Sequence, residues 1–266
     1  MTIRVFLSAF VVFLVGCATP GARSPHSESA SVELPVSRQA TSNDRQQSAK
    51  VHAELGQLYL QQGSYEVALD EARIALESDV SYAPAHNLRG LAYMAIGKNA
   101  LAEESFRRAL SLARNDPEIN NDFGWFLCQT GRPKDSIEMF QVAIGNPLYN
   151  APVRALANAG ICSLRYQADR EAESYFLRVI RLDRKHITAL YWLADIAYRG
   201  NRYADAQMRL KELHVAIEPL AQSAWLALRL ARKMGDRDEE ARMLGIMRRK
   251  YRDSPEHQKL SRGEFD

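Results

Sequence analysis

From residue 49 onward, small and apolar residues recur at fixed positions along the chain. Gly56, Gly90, Gly124 and Gly160 are spaced 34, 34 and 36 apart, and further steps of 34 land on Ala194 and Leu228. Seven residues behind them runs a second series: Gly63, Gly97, Gly131, Gln167, Asn201 and Gly235. A third comprises Ala68, Ala102, Ser136, Ala172, Ala206 and Glu240. The fourth is Ala72, Phe106, Phe140, Phe176, Leu210 and Leu244, and the fifth Ala75, Ala109, Ala143, Val179, Leu213 and Met247. The pattern predicts two helices per unit, joined by a turn at the second series. The first-series glycines belong mid-way along the first helix, where the second helix crosses too closely for a side chain. The turn glycines suit the left-handed conformation that ends a helix. Ala68 and its equivalents let the two helices approach from the other side, and the large fourth-series residues fill the space between units. Pro84, Pro117, Pro152 and Pro219 fall where a new first helix should begin, a position that tolerates proline.

These units span 49–82, 83–116, 117–152, 153–186, 187–220 and 221–251, followed by a polar tail, 252–266. The 34-residue period and its order of small, small and aromatic positions resemble the tetratricopeptide-repeat family. The usual early Trp is absent, and Arg89 stands where Leu is common. The resemblance implies an all-α fold, a right-handed superhelical solenoid of six helix-turn-helix repeats. Stacking then hides the apolar face that no single hairpin can bury, and the degenerate sixth unit is expected of a capping repeat. A globular helical bundle would need no fixed period.

The chain begins differently. Arg4 precedes an eleven-residue apolar run, Val5 to Val15, then Gly16 and Cys17. Eleven residues suit a secretory signal, whereas a membrane-spanning helix needs about 20. The sequence Leu14-Val15-Gly16-Cys17 resembles the bacterial lipoprotein box. That resemblance implies a signal peptide over 1–16 and a diacylglycerol on the Cys17 thiol, with acyl chains that give a stable anchor. Ala18 follows, where lipoproteins retained at the inner membrane usually carry Asp. The implied location is the outer membrane, lipid-anchored and facing the periplasm. Residues 18–48 hold seven Ser, three Pro and no aromatic residue, so 17–48 is expected to be a lipidated, disordered tether.

Composition is ordinary: 46% apolar, 25% charged, net charge +3. So weak a charge gives no argument for nucleic acid, and Arg248-Arg249-Lys250 reads as a solvated helix face balanced by Asp236, Asp238, Glu239 and Glu240. Catalysis has little support. The histidines are His26, His52, His86, His186, His214 and His257. His52 and His86 take the same place in successive units, as packing residues do. No zinc-type Cys/His spacing, Gly-rich phosphate loop or metalloprotease His-Glu motif occurs. The expectation is a non-enzyme with no catalytic residue, no metal, no cofactor beyond the covalent lipid and no small-molecule substrate.

In tetratricopeptide arrays the first helices line the concave face. Carried onto this chain, that rule gives a protein-binding groove of Leu60, Asn87, Leu91, Met94, Asn121, Trp125, Ile161, Leu164, Tyr191, Tyr198 and Trp225. Such a surface is apolar and aromatic, with amides able to bond a peptide backbone, and it suits a helix or extended segment of a partner. For Trp125, Tyr191 and Trp225 the alternative is packing between repeats. Cys128 and Cys162 occupy nearly equivalent places on neighbouring first helices. In the oxidising periplasm a disulfide is expected there rather than two buried thiols, closing a loop of about 34 residues worth ~3–4 kcal/mol.

Asn120-Asn121-Asp122-Phe123-Gly124-Trp125-Phe126-Leu127-Cys128 resembles a stretch of the type IV pilus biogenesis lipoproteins of the PilF/PilW family. So do Pro147-Leu148-Tyr149, Ala157-Asn158-Ala159-Gly160-Ile161-Cys162 and the two extra residues between the third and fourth units. That resemblance implies a pilotin-like scaffold at the outer membrane. It would bind a PilQ-like type IV pilus secretin and assist its localisation, multimerisation or stability, promoting pilus biogenesis and twitching motility. The alternative is another outer-membrane repeat lipoprotein, serving barrel-protein assembly or envelope enzymes.

Overall fold

The computed structural model describes residues 32–265. Residues 1–16 and Cys17, with the signal and lipidation expected there, lie outside the described residues. Among the described residues there are thirteen α-helices, one short 3-10 turn (Val36–Arg38) and no strand. Six helical pairs follow one another: α1 (Asp44–Gln61) with α2 (Tyr65–Ser78), α3 (Ala83–Ala95) with α4 (Asn99–Leu112), and α5 (Pro117–Gln129) with α6 (Pro133–Gly145). Then come α7 (Pro152–Arg165) with α8 (Asp169–Leu182), α9 (Ile187–Arg199) with α10 (Tyr203–Ala216), and α11 (Ala221–Met234) with α12 (Arg237–Lys250). A last helix, α13 (Pro255–Arg262), follows the sixth pair.

Every member of the turn series takes the left-handed backbone: Gly63, Gly97, Gly131 and Gly235, and also Gln167 at φ 62° and Asn201 at φ 57°. A side chain in that conformation costs about 1–2 kcal/mol, so repeats four and five accept local strain to keep the hairpin. The mid-helix glycines sit at close crossings. A methyl at Gly124 would lie 2.9 Å from the Phe140 ring, and one at Gly160 would lie 2.7 Å from Phe176. In the first repeat the fourth-series residue is Ala72, and the space over Gly56 is filled from the next repeat by Leu88. The fourth-series rings reach forward too: Phe106 meets Phe123 and Phe126 of α5 at centroid distances of 5.7 and 5.4 Å.

Helix starts follow local chemistry. Proline stands in the first turn of α3, α5, α6 and α7. Asp116 caps α5 by accepting from the amides of Glu118 and Ile119. Pro219 falls just ahead of α11, outside the helix.

Each first helix from α3 to α11 packs on the second helix before it. First helices also meet one another, α1 with α3, α3 with α5, α5 with α7 and α9 with α11, whereas successive second helices do not pack comparably. The array therefore curves with the first helices inside. No described helix is long and apolar enough to cross a membrane.

One expectation at the N-terminal end is corrected. The tether expected to run to residue 48 gives way to helix at Asp44, capped by Asn43. Ahead of it, residues 33–39 lie along the loops between repeats. The Val36 amide donates to Asp116 Oδ2 (2.6 Å), the Ser37 hydroxyl to Glu118 (2.6 Å), and Asn146 Nδ2 to the Glu33 carbonyl (2.8 Å). Buried Pro35, and Val36 against Ala49, Ala53 and Tyr82, supply apolar contact that a count of Ser and Pro does not reveal. At the other end the polar tail, whose folding the sequence leaves open, forms α13, capped by Ser254.

Candidate functional site

In the inner layer α5 and α7 are joined covalently. Cys128 and Cys162 are joined in a disulfide, with their Cα atoms 5.8 Å apart. Arg165 donates to the Cys128 carbonyl (3.0 Å) and to Gln129 Oε1 (2.9 Å), and Asn158 donates to Asn121 Oδ1 (3.1 Å).

Two amides assigned to the groove are not on its surface. Asn121 is 1% exposed and Asn87 8%. Asn121 Nδ2 donates to Asp122 Oδ1 (3.0 Å), Asn87 Nδ2 reaches Asp122 Oδ2 across repeats (2.8 Å), and Arg154 lies 3.7 Å from the same carboxylate. Burial holds the Asp122 carboxyl above its ordinary value, against the pull of Arg154 and the two amides. These amides serve the carboxylate rather than a peptide backbone, because a buried carboxylate needs donors. Asn87 Oδ1 has no partner within the described protein.

Half-buried apolar side chains remain along the first helices at Leu60, Leu91, Met94, Trp125, Ile161, Leu164 and Tyr191. Their inner edges join the repeat cores: Leu60 against Leu88 and Ala92, Trp125 against the disulfide and Phe140. An opening in this row lies between α7 and α9. There a cleft of about 740 Å³ is lined by Ile161, Leu164, Arg165, Gln167, Asp169, Trp192, Asp195 and Arg199. Trp192 meets Tyr191 edge-on at 5.0 Å. Arg199 pairs with Asp169 and with Asp195 (2.8 Å), leaving an apolar floor inside a charge-balanced rim. Trp192, Asp169 and Arg199 were not assigned to the site from sequence. Repeat numbering places Tyr191 on the groove, and its neighbour Trp192 lines the cleft beside it.

Beyond the cleft the channel closes. Tyr198 (7% exposed) and Trp225 (5%) are buried, contrary to their assignment to an open groove. Trp225 packs against Phe265, ring centroids 5.3 Å apart, and Arg229 lies 4.6 Å over the Tyr198 ring. Tyr191, at the margin of this region, has its hydroxyl pushed up to about 12 by burial, with the Asp195 and Glu256 charges adding to it. Among the described residues no group of three or more His, Cys, Asp or Glu is placed to hold a metal. His52 Nδ1 lies 2.7 Å from Glu71 and His86 Nε2 lies 2.9 Å from the Val80 carbonyl, so each ring makes a polar contact within the protein.

Stacked hairpins with glycine crossings, left-handed turns and an inner wall of first helices define a tetratricopeptide-repeat protein. The tetratricopeptide-repeat family model matches residues 53–118, 87–154 and 169–207. The chain is 30% identical over 263 residues to the type IV pilus assembly protein PilF of Pseudomonas aeruginosa, covering 98% of both chains. The solved structure of P. aeruginosa PilF superposes with a TM-score of 0.77 at 28% identity, covering 83% of this chain and all of that one. The crystal structure of PilW, a widely conserved type IV pilus biogenesis factor, gives a TM-score of 0.73 at 28% identity over 82% and 99%. The chain belongs to the PilF/PilW family of tetratricopeptide-repeat proteins.

Proposed function

We propose that this protein is a lipid-anchored scaffold of type IV pilus biogenesis that holds a segment of the pilus secretin along its first helices. Anchored through Cys17 to the outer membrane and facing the periplasm, it assists the secretin to localise and multimerise. The observation that carries the reading is the row of half-buried apolar side chains from Leu60 to Tyr191, opening into the cleft between α7 and α9. That row lies in a chain 30% identical, end to end, to a pilus assembly protein. The chemistry is that of holding: an apolar floor favours burial of a partner's apolar side chains, and the paired charges of the rim set register more than affinity.

The test is complementation of a strain lacking the gene. Ile161→Ala with Trp192→Ala should lower the melting temperature, because both side chains also pack on the core of repeats four and five. It should still leave a cooperatively folded, membrane-bound chain that loses secretin multimers on non-denaturing gels and twitching motility. Cys17→Ser should release a folded protein from the membrane fraction. Normal secretin multimers in the deletion strain, with general envelope defects instead, would replace the secretin by another envelope partner.

A further inference from the structure

α13 does not continue the array. Each first helix from α3 to α11 packs on the second helix before it, whereas α13 packs on α11 and not comparably on α12. It lies on residues that the repeat register assigns to the inner face. Leu260 and Phe265 pack into the cluster around Trp225. Arg229 Nε donates to the Phe265 carbonyl (3.0 Å), and the Arg232 guanidinium sits 3.5 Å from the centroid of the Phe265 ring. Glu256, in the first turn of α13, is near enough to Tyr191 of α9 for its charge to act on the phenol. The segment therefore lies as a bound peptide would: one short helix, one aromatic ring against Trp225, one main-chain carbonyl held by an arginine.

We propose that α13 with Phe265 is an internal occupant of the channel, and that a partner's short helical segment ending in an aromatic residue competes for the same place on Trp225, Arg229 and Arg232. This rests on the reading of the channel as a partner-binding surface. The occupant is displaceable for physical reasons. Eight residues make a helix that is marginal alone, and α13 is held by one ring, one leucine and few hydrogen bonds. Segments with so few buried contacts open at far lower free energy than the core.

Hydrogen exchange on the full-length protein tests displacement directly. Amides of 255–262 should exchange at least about tenfold faster than those of α11, without global unfolding. Equal protection of the two helices would make α13 a permanent cap and overturn the proposal. A second measurement uses a labelled synthetic peptide of residues 252–266. The Phe265→Ala full-length chain should bind it about tenfold or more tighter than the intact chain does, and a peptide carrying the same alanine should not bind. Failure of the Phe265→Ala chain to bind the unaltered peptide would also overturn the proposal. With purified secretin, tighter binding by Phe265→Ala than by the intact chain supports competition. Equal binding removes competition while leaving the channel reading intact. No binding by either chain removes the channel reading and, with it, the proposed competition.

Discussion

The two ends of the array solve the same problem differently. α1 has no preceding repeat, and it leaves Val51, Leu55 and Leu58 exposed at 48%, 36% and 54%. These lie at helical spacing, so they form one bare apolar stripe. What secures that end is edge-on: residues 33–39 cross the loops of three repeats and hydrogen-bond to Asp116 and Glu118. At the far end, α13 covers the inner face of α11, and Trp225 is buried beneath Phe265. An open solenoid end thus tolerates apolar exposure where its loops are tied, and a covering helix can bury inner-face side chains while it closes an end.

The sharpest way to break this comparison is Trp225→Ala. Loss of a buried indole should cost about 3–5 kcal/mol, read as a lower midpoint in urea unfolding; a change as small as that of an exposed residue would mean that α13 covers nothing of consequence. Next, Asp116→Ala removes both the α5 cap and the acceptor for Val36, for about 1–2 kcal/mol. Limited proteolysis should then cut within 32–43, and resistance of that segment would show that its apolar contacts suffice.

Acidification probes both ends at once. Burial lowers the pKa of His86 in repeat two and of His214 beside Ser223 at the fifth–sixth junction, with nearby arginines adding to it. For both, the folded value lies below the unfolded 6.5. The unfolded chain thus binds more protons below that pH, and stability should fall as pH drops through 6.5 toward the folded values. His86→Gln and His214→Gln together should flatten the dependence of melting temperature on pH; an unchanged slope would assign it to carboxylates. Smallest of all, Leu58→Ala in the bare stripe should change stability by less than ~0.5 kcal/mol, and a large loss would reveal a hidden covering of α1.

Much of this was legible in the chain. Five periodic series named the helical pairs, the turn positions and the close crossings, and Gln167 and Asn201 adopt the turn conformation without being glycine. The Cys128–Cys162 bridge was expected from two nearly equivalent positions on neighbouring first helices, together with an oxidising compartment. The groove was legible only in part. Leu60, Leu91, Met94, Trp125, Ile161, Leu164 and Tyr191 are half-buried on the first helices, where the repeat register puts them. Asn87 and Asn121 were lost to Asp122, whose need for donors depends on burial that no repeat register encodes.

The sequence by itself determined the local geometry, because glycine, proline and side-chain size act on the backbone and on the nearest helix at fixed separations along the chain. Only the tertiary structure decided which inner-face residues stay accessible. That depends on segments without periodicity, 33–39 and α13, choosing their contacts, and on how far α7 stands from α9. Both are settled by packing between parts of the chain that no period relates.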